Sequence, residues 1–236
     1  MTIRDISPGE HFNRDKPSQK YSALLEEYKV MHGVSNRMFN GRSLLKFVEI
    51  IKSYLEKNEC NSVLDYGSGK GALYTEDFHT VTNEINKPLP EYWSLDLCVL
   101  YDPAYEEHVS LPSGKFDAVI CTDVLEHIPE ADLGWVLQEI YSKANKMVFL
   151  NVACFAALKK LKDGSNAHVS IFSTEEWIQF VAKESVAFKD LNIYLFADNV
   201  DKEDGEFIVR GFKIESKPHV MELLGHEPDT IKERKI

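Results

Sequence analysis

The sequence predicts an α/β fold built on a doubly wound, mostly parallel seven-stranded sheet. Three observations carry this. Residues 116–122, Phe-Asp-Ala-Val-Ile-Cys-Thr, form an apolar run of the kind a strand covered on both faces requires. Residues 63–71, Val-Leu-Asp-Tyr-Gly-Ser-Gly-Lys-Gly, set a short buried strand directly before a glycine loop. Beyond that loop strands alternate with helical patterns, and the chain closes on two successive strands, 191–197 and 207–214. The turn between these two is rich in Asp, Asn and Gly, which marks an antiparallel hairpin.

The elements follow in order. Residues 1–20 are polar and read as a flexible N-terminal arm or lid. Leu24, Leu25, Tyr28 and Met31 recur at helical spacing over 21–32, and Gly33 marks the stop. A second helix covers 43–57, with Ser43 as its cap and Leu44, Phe47, Val48, Ile51, Tyr54 and Leu55 on one face. Together these helices form a cap, 21–58, ahead of a main domain, 59–216, and a C-terminal tail, 217–236. The first strand is 62–66. Residues 72–94, with Pro88 and Pro90, are the least regular. A strand over 95–101 ends at Asp102-Pro103. Only about a dozen residues then precede Phe116, too few for a full helix and a full strand. The third strand is therefore reduced to a stub near 108–111, or its helix is missing. Pro129 opens a helix over 130–144 carrying Leu133, Val136, Leu137, Ile140 and Tyr141 at helical spacing. Residues 146–152 are the next strand. Ser173-Thr-Glu-Glu176 reads as a capping box before Trp177, Ile178, Phe180 and Val181.

A chain of 236 residues with 44% apolar content suits one α/β domain with a small addition. Its net charge of −11 opposes a broad phosphate-tracking surface and demotes nucleic acid as a partner. Cys60, Cys98, Cys121 and Cys154 lack metal-ligand spacing and read as reduced thiols of a cytoplasmic protein. The first ten residues lack the apolar core of a signal peptide. The longest apolar stretch, 148–158, is interrupted by Asn151 and is too short to span a bilayer.

Glycines at 67, 69 and 71 are spaced G-x-G-x-G, whereas the dinucleotide fingerprint places its third glycine one residue later. A helix starting just after the turn would aim free N–H groups at a ligand. Asp65, two residues before the first glycine, opposes a pyrophosphate there and suits a ligand that carries positive charge. Residues 63–71 resemble motif I of the class I S-adenosylmethionine-dependent methyltransferases. Residues 116–129, ending Leu-Glu-His-Ile-Pro, resemble the fourth-strand motif of the same superfamily, in the form typical of members that methylate small molecules. The resemblance spans roughly residues 40 to 215. It implies a Rossmann-like sheet, S-adenosyl-L-methionine as cofactor and a small-molecule acceptor.

The resemblance also implies roles. Asp65 would face the cofactor's amino-acid end, with Gly67, Ser68, Gly69 and Gly71 as the cradle, and a branched side chain at Gly69 would occupy the ligand's space. Asp102, favoured over Asp96, would accept the ribose hydroxyls. Thr122, Asp123 and Val124 would meet the methionyl part. Methyl transfer from a sulfonium needs alignment and exclusion of water, and a base where the acceptor must lose a proton; it needs no metal. His127 reads equally as an acceptor-binding or proton-removing group and as a brace for its own loop. Asp163-Gly-Ser-Asn-Ala-His168 reads as an acceptor pocket, with Asn166 orienting a polar group and His168 as base, or as a loop bonded to its own backbone. Tyr28, Met31, His32, Met38, Phe39 and Asn40 read as a lid or as core.

Overall fold

The computed structural model describes residues 11–35, 38–79, 84–85, 87–200 and 206–214. One sheet holds six strands: β1 (Ser62–Tyr66), β2 (Leu97–Tyr101), β3 (Phe116–Thr122), β4 (Ala144–Ala153), β5 (Asn192–Val200) and β6 (Phe207–Ile214). Their order is β2-β1-β3-β4-β5-β6, parallel throughout except β6, which runs antiparallel at one edge. The longer helices are α1 (Gln19–His32), α2 (Val48–Lys57), α3 (Glu130–Lys143) and α4 (Thr174–Glu184). The expected tail at 217–236 lies outside the described residues.

Among the described residues the sheet has six strands, not seven, and the absent one is the third. Between Tyr101 and Phe116 there is only a 3-10 turn, Glu106–His108, and the Asp102 N–H bonds the His108 carbonyl (2.9 Å) in place of a further strand. Too little chain was available for both a crossover helix and a strand, so β2 remains at the edge. The irregular stretch after the glycine loop supplies a small hairpin, Phe78–His79 with Glu84–Ile85, and one helical turn, Leu89–Tyr92.

Alternate side chains of each parallel strand leave opposite faces of the sheet. Leu64, Val119, Cys121, Val148, Leu150 and Leu195 pack with Leu133, Val136, Leu137 and Ile140 of α3 and with Trp177 and Val181 of α4. Their neighbours Val63, Ala118, Ile120, Met147, Phe149 and Tyr194 pack on the other side with Phe47, Val48, Ile51 and Leu55. Both faces are therefore dry, which is why these strands read as unbroken apolar runs.

Helix boundaries follow local chemistry. The capping box at Ser173 and Glu176 is formed, and Pro129 stands directly before α3. Ser43 makes no capping bond; α2 is entered through a 3-10 segment, Arg42–Phe47, after Gly41 in the left-handed region (φ 82°). Of the arm, the described residues 11–18 are tied to the domain. Ser18 caps α1 and gives its N–H and hydroxyl to the buried Asp132 (2.9 and 2.5 Å), and Arg14 pairs with Glu139 and bonds the Tyr101 hydroxyl (2.8 Å). This anchoring lays α1 across the carboxyl ends of β1 and β3.

Candidate active site

The loop after β1 turns on three glycines with positive φ: Gly67 (87°), Gly69 (56°) and Gly71 (61°). Its amides are all committed within the protein. Gly67 and Ser68 donate to the Tyr101 carbonyl, Gly69 to the Asp102 carboxylate and Lys70 to the Phe39 carbonyl. Gly71 donates to the Ser68 carbonyl and Ala72 to that of Asn40. The element that follows is a single 3-10 turn, Ala72–Tyr74, with no helix N-terminus to aim at a ligand. A pyrophosphate takes its affinity from free N–H groups and a helix dipole; this loop offers neither.

A Cβ added at Gly69 would drive into the Phe39 carbonyl, at Gly67 into Val124, and at Gly71 into Leu100. The expectation for Gly69 is corrected accordingly: its missing side chain makes room for the 38–41 backbone rather than for a ligand directly. Lys70 reinforces that contact by donating to the carbonyls of His32 and Ser35 (2.9 and 2.7 Å).

A cavity of about 170 Å³ lies at this edge of the sheet. Gly67, Ser68 and Gly69 form its floor, Asp102 and Ala104 one side, and Thr122, Asp123, Val124 and His127 the other; Tyr21, Leu24, Leu25, Tyr28 and His32 of α1 roof it. Asp102 sits at the end of β2. One of its oxygens accepts the Gly69 N–H (2.9 Å) and the other the Ala104 N–H (2.8 Å). A carboxylate has about four acceptor sites, so capacity remains for a vicinal diol. His32 places Nε2 4.0 Å from Asp102, stacks on Tyr105, and leaves its buried Nδ1 without a partner. Burial lowers the His32 pKa against the pull of Asp102. A diol acceptor, a stacking ring and an orphaned polar nitrogen on one cavity suit a nucleoside carrying a polar tail.

At the end of β3, Asp123 takes a left-handed backbone (φ 60°), unusual for a side-chain-bearing residue, and stands exposed at the cavity wall. Glu126 is fully buried: one oxygen accepts the Ala153 N–H (2.9 Å) and the other, Oε2, has no partner. Burial, with Asp123 adding to it, holds its carboxyl well above the ordinary range. His127 Nδ1 lies 2.9 Å from the Ala167 carbonyl and 2.8 Å from the Tyr28 hydroxyl. A carbonyl only accepts, so Nδ1 carries the proton; burial lowers the ring's pKa and keeps it neutral. His168 stands edge-on to His127 (4.9 Å between ring centres) with Nδ1 on the Phe155 carbonyl (2.6 Å).

Of the residues singled out from sequence, Gly67, Ser68, Gly69, Asp102, Thr122, Asp123, Val124 and His127 line this one cavity. Asp65, Gly71 and His168 do not. Asp65 is buried behind the loop and accepts the Tyr74 hydroxyl (2.7 Å). Asn166 bonds the backbone of Ala157 and His168, so it stitches its own loop. The roof residues Tyr21, Leu24 and Leu25 were visible only as a helix face, and His108, whose Nδ1 meets the Gly69 carbonyl (2.8 Å), gave no signal. Glu126 was in plain view inside the Leu-Glu-His-Ile-Pro motif. Among the described residues no helix is long and apolar enough to cross a membrane.

No curated protein matches the chain by sequence. Among solved structures it is similar to magnesium protoporphyrin IX methyltransferase from Synechocystis PCC 6803 with SAH bound, at 14% identity and a TM-score of 0.44. That match covers 84% of this chain and 96% of that one. A family profile described as "Methyltransferase domain" matches residues 36–187, which include the glycine loop, Asp102 and the end of β3. The chain belongs to this methyltransferase family, and its cofactor is S-adenosyl-L-methionine.

Proposed function

We propose that the chain methylates a small-molecule acceptor enclosed beneath α1. The α1 wall carries this reading: five α1 side chains, mostly apolar, line a half-open cavity beside the carboxyl ends of the strands, a niche that suits a small acceptor better than an extended polymer track. The net charge of −11 also disfavours a polyanionic acceptor.

The cofactor, when bound, supplies an electrophilic methyl on a sulfonium. The chain's own residues bind, align and exclude water. In this reading Gly67, Ser68 and Gly69 present backbone to the cofactor's amino-acid end, and Asp65 and Gly71 shape that loop from behind. Asp102 accepts the ribose hydroxyls, and Thr122, Asp123 and Val124 flank the methionyl part. His127, as a neutral imidazole, and, behind it, His168 serve the acceptor, each with Nδ1 held on a carbonyl.

Calorimetric titration with S-adenosyl-L-methionine, followed by turnover with a panel of labelled acceptors, tests the reading. Asp102→Ala is expected to weaken cofactor binding by about ten- to a hundredfold, the worth of hydrogen bonds to a charged group. Turnover confined to RNA or protein acceptors would move the assignment to polymer methylation. Binding with no turnover on any acceptor would favour a non-catalytic cofactor-binding protein.

A further inference from the structure

Four groups converge beside the cavity, three just after β3 and His168 from the loop after β4. One donor atom from each of Asp123, Glu126, His127 and His168 lies within 4.8 Å of all the others. Ligands around a cation at about 2.1 Å stand roughly 3–4.3 Å apart, so a contraction of a few tenths of an ångström would close the set. Glu126 supplies an independent sign. It is fully buried, and its Oε2, the atom without a partner, belongs to this cluster's side chain. An unpartnered carboxyl oxygen in a dry interior is costly whether or not it carries a proton, and a cation displacing that proton would supply its partner. The imidazoles are prepared in the same way. Metal-binding histidines donate their second N–H to a carbonyl or carboxylate. Both rings do so through Nδ1, to Ala167 and Phe155, which leaves Nε2 of each as the lone-pair nitrogen.

We propose that Asp123, Glu126, His127 and His168 bind a first-row divalent transition-metal ion, whose remaining positions hold a hydroxyl of the acceptor. Two imidazoles with two carboxylates suit Mn²⁺, Fe²⁺, Co²⁺ or Zn²⁺ over the hard ions Mg²⁺ and Ca²⁺, which prefer oxygen throughout. Asp123 and His127 also line the cofactor cavity, so the ion and the methyl donor share one chamber. The cation site stands on its geometry; the oxygen acceptor rests on the methyl-transfer reading. In that transfer the carbon–oxygen bond forms as the carbon–sulfur bond breaks. The electron pair goes to sulfur and the hydroxyl proton to solvent, so charge and atoms balance.

The test uses the full chain after chelator treatment. Mn²⁺ is titrated with the free-ion paramagnetic signal as readout, and Co²⁺ with its visible absorption; S-adenosyl-L-methionine is titrated separately by calorimetry. One saturable equivalent of ion is expected. Asp123→Asn and His168→Ala should each weaken it by at least about tenfold, with circular dichroism unchanged. Asn tolerates the left-handed backbone of position 123, so this variant removes charge and little else. A protein that binds the cofactor but shows no saturable Mn²⁺ or Co²⁺ overturns the site, as does ion binding indifferent to both variants. Mg²⁺ competing as well as Mn²⁺ overturns the transition-metal assignment. Ion binding without cofactor binding upholds the site and removes the oxygen acceptor.

Discussion

Asp65 shows how little a motif position says about what its side chain touches. Its carboxylate is buried and held by the Tyr74 hydroxyl (2.7 Å). Burial raises its pKa to about 7, Tyr74 opposes the rise and Asp102 adds to it. The folded value lies above the unfolded one, so the fold holds this proton more tightly. That contribution is complete below about pH 4 and is lost as pH rises through about 7. Asp65→Asn keeps an acceptor for Tyr74 and removes the titration. Relative to the parent, the variant should gain stability between pH 5 and pH 8, by on the order of 3 kcal/mol at most. Denaturant melts at the two pH values measure it; the same difference at both would mean that Asp65 is ionised throughout. The strand, the turn and the carboxylate were legible because each is set by neighbours in sequence. The contacts were not. Gly69 abuts Phe39, thirty residues upstream, and no local pattern encodes that meeting.

The elements divide along the same line. The strands and helices 116–122, 130–144 and 207–214 were legible because apolar spacing, Pro129 and the Ser173–Glu176 box are local signals. The ties of residues 11–18 gave no local signal, because these anchors are polar residues that meet partners far along the chain. Asp132, in the first turn of α3, accepts the N–H and hydroxyl of Ser18 and the indole N–H of Trp135 (2.9 Å). Asp132→Ala would strip three donors of their acceptor in a site with no exposure. We expect a loss of about 2–3 kcal/mol in global stability and faster proteolysis within residues 11–32 than in the parent. Unchanged cleavage in that segment would mean that α1 is held by its apolar contacts alone.

At the scale of the whole molecule, the roof lies outside the part that matches the family. The profile begins at residue 36, whereas α1 ends at His32. Neither main core contains a buried residue before Leu44. The helix rests mainly on a small separate cluster, Leu24 with Leu161 and Ala167, and on polar ties from Lys70, Asp132 and His127; it meets a main core through the partly buried Tyr21, edge-on to Trp135. The sheet and its two flanking layers therefore do not need α1 to form, and the cavity does. Deleting residues 1–35 should leave circular dichroism and cooperative unfolding close to the parent's. Cofactor affinity should fall by at least about tenfold, since His32 and the apolar ceiling that excludes water go with it. Calorimetry on the truncated chain, beside its thermal melt, separates the two effects. If affinity survives while the roof is gone, α1 does not close over the cofactor, and the argument for a small enclosed acceptor loses its support. If folding fails, the helix belongs to the core. The fall in affinity with folding retained is the expected result, because the stability of this molecule resides in the sheet and its chemistry is assembled where a separate helix closes over the sheet's edge.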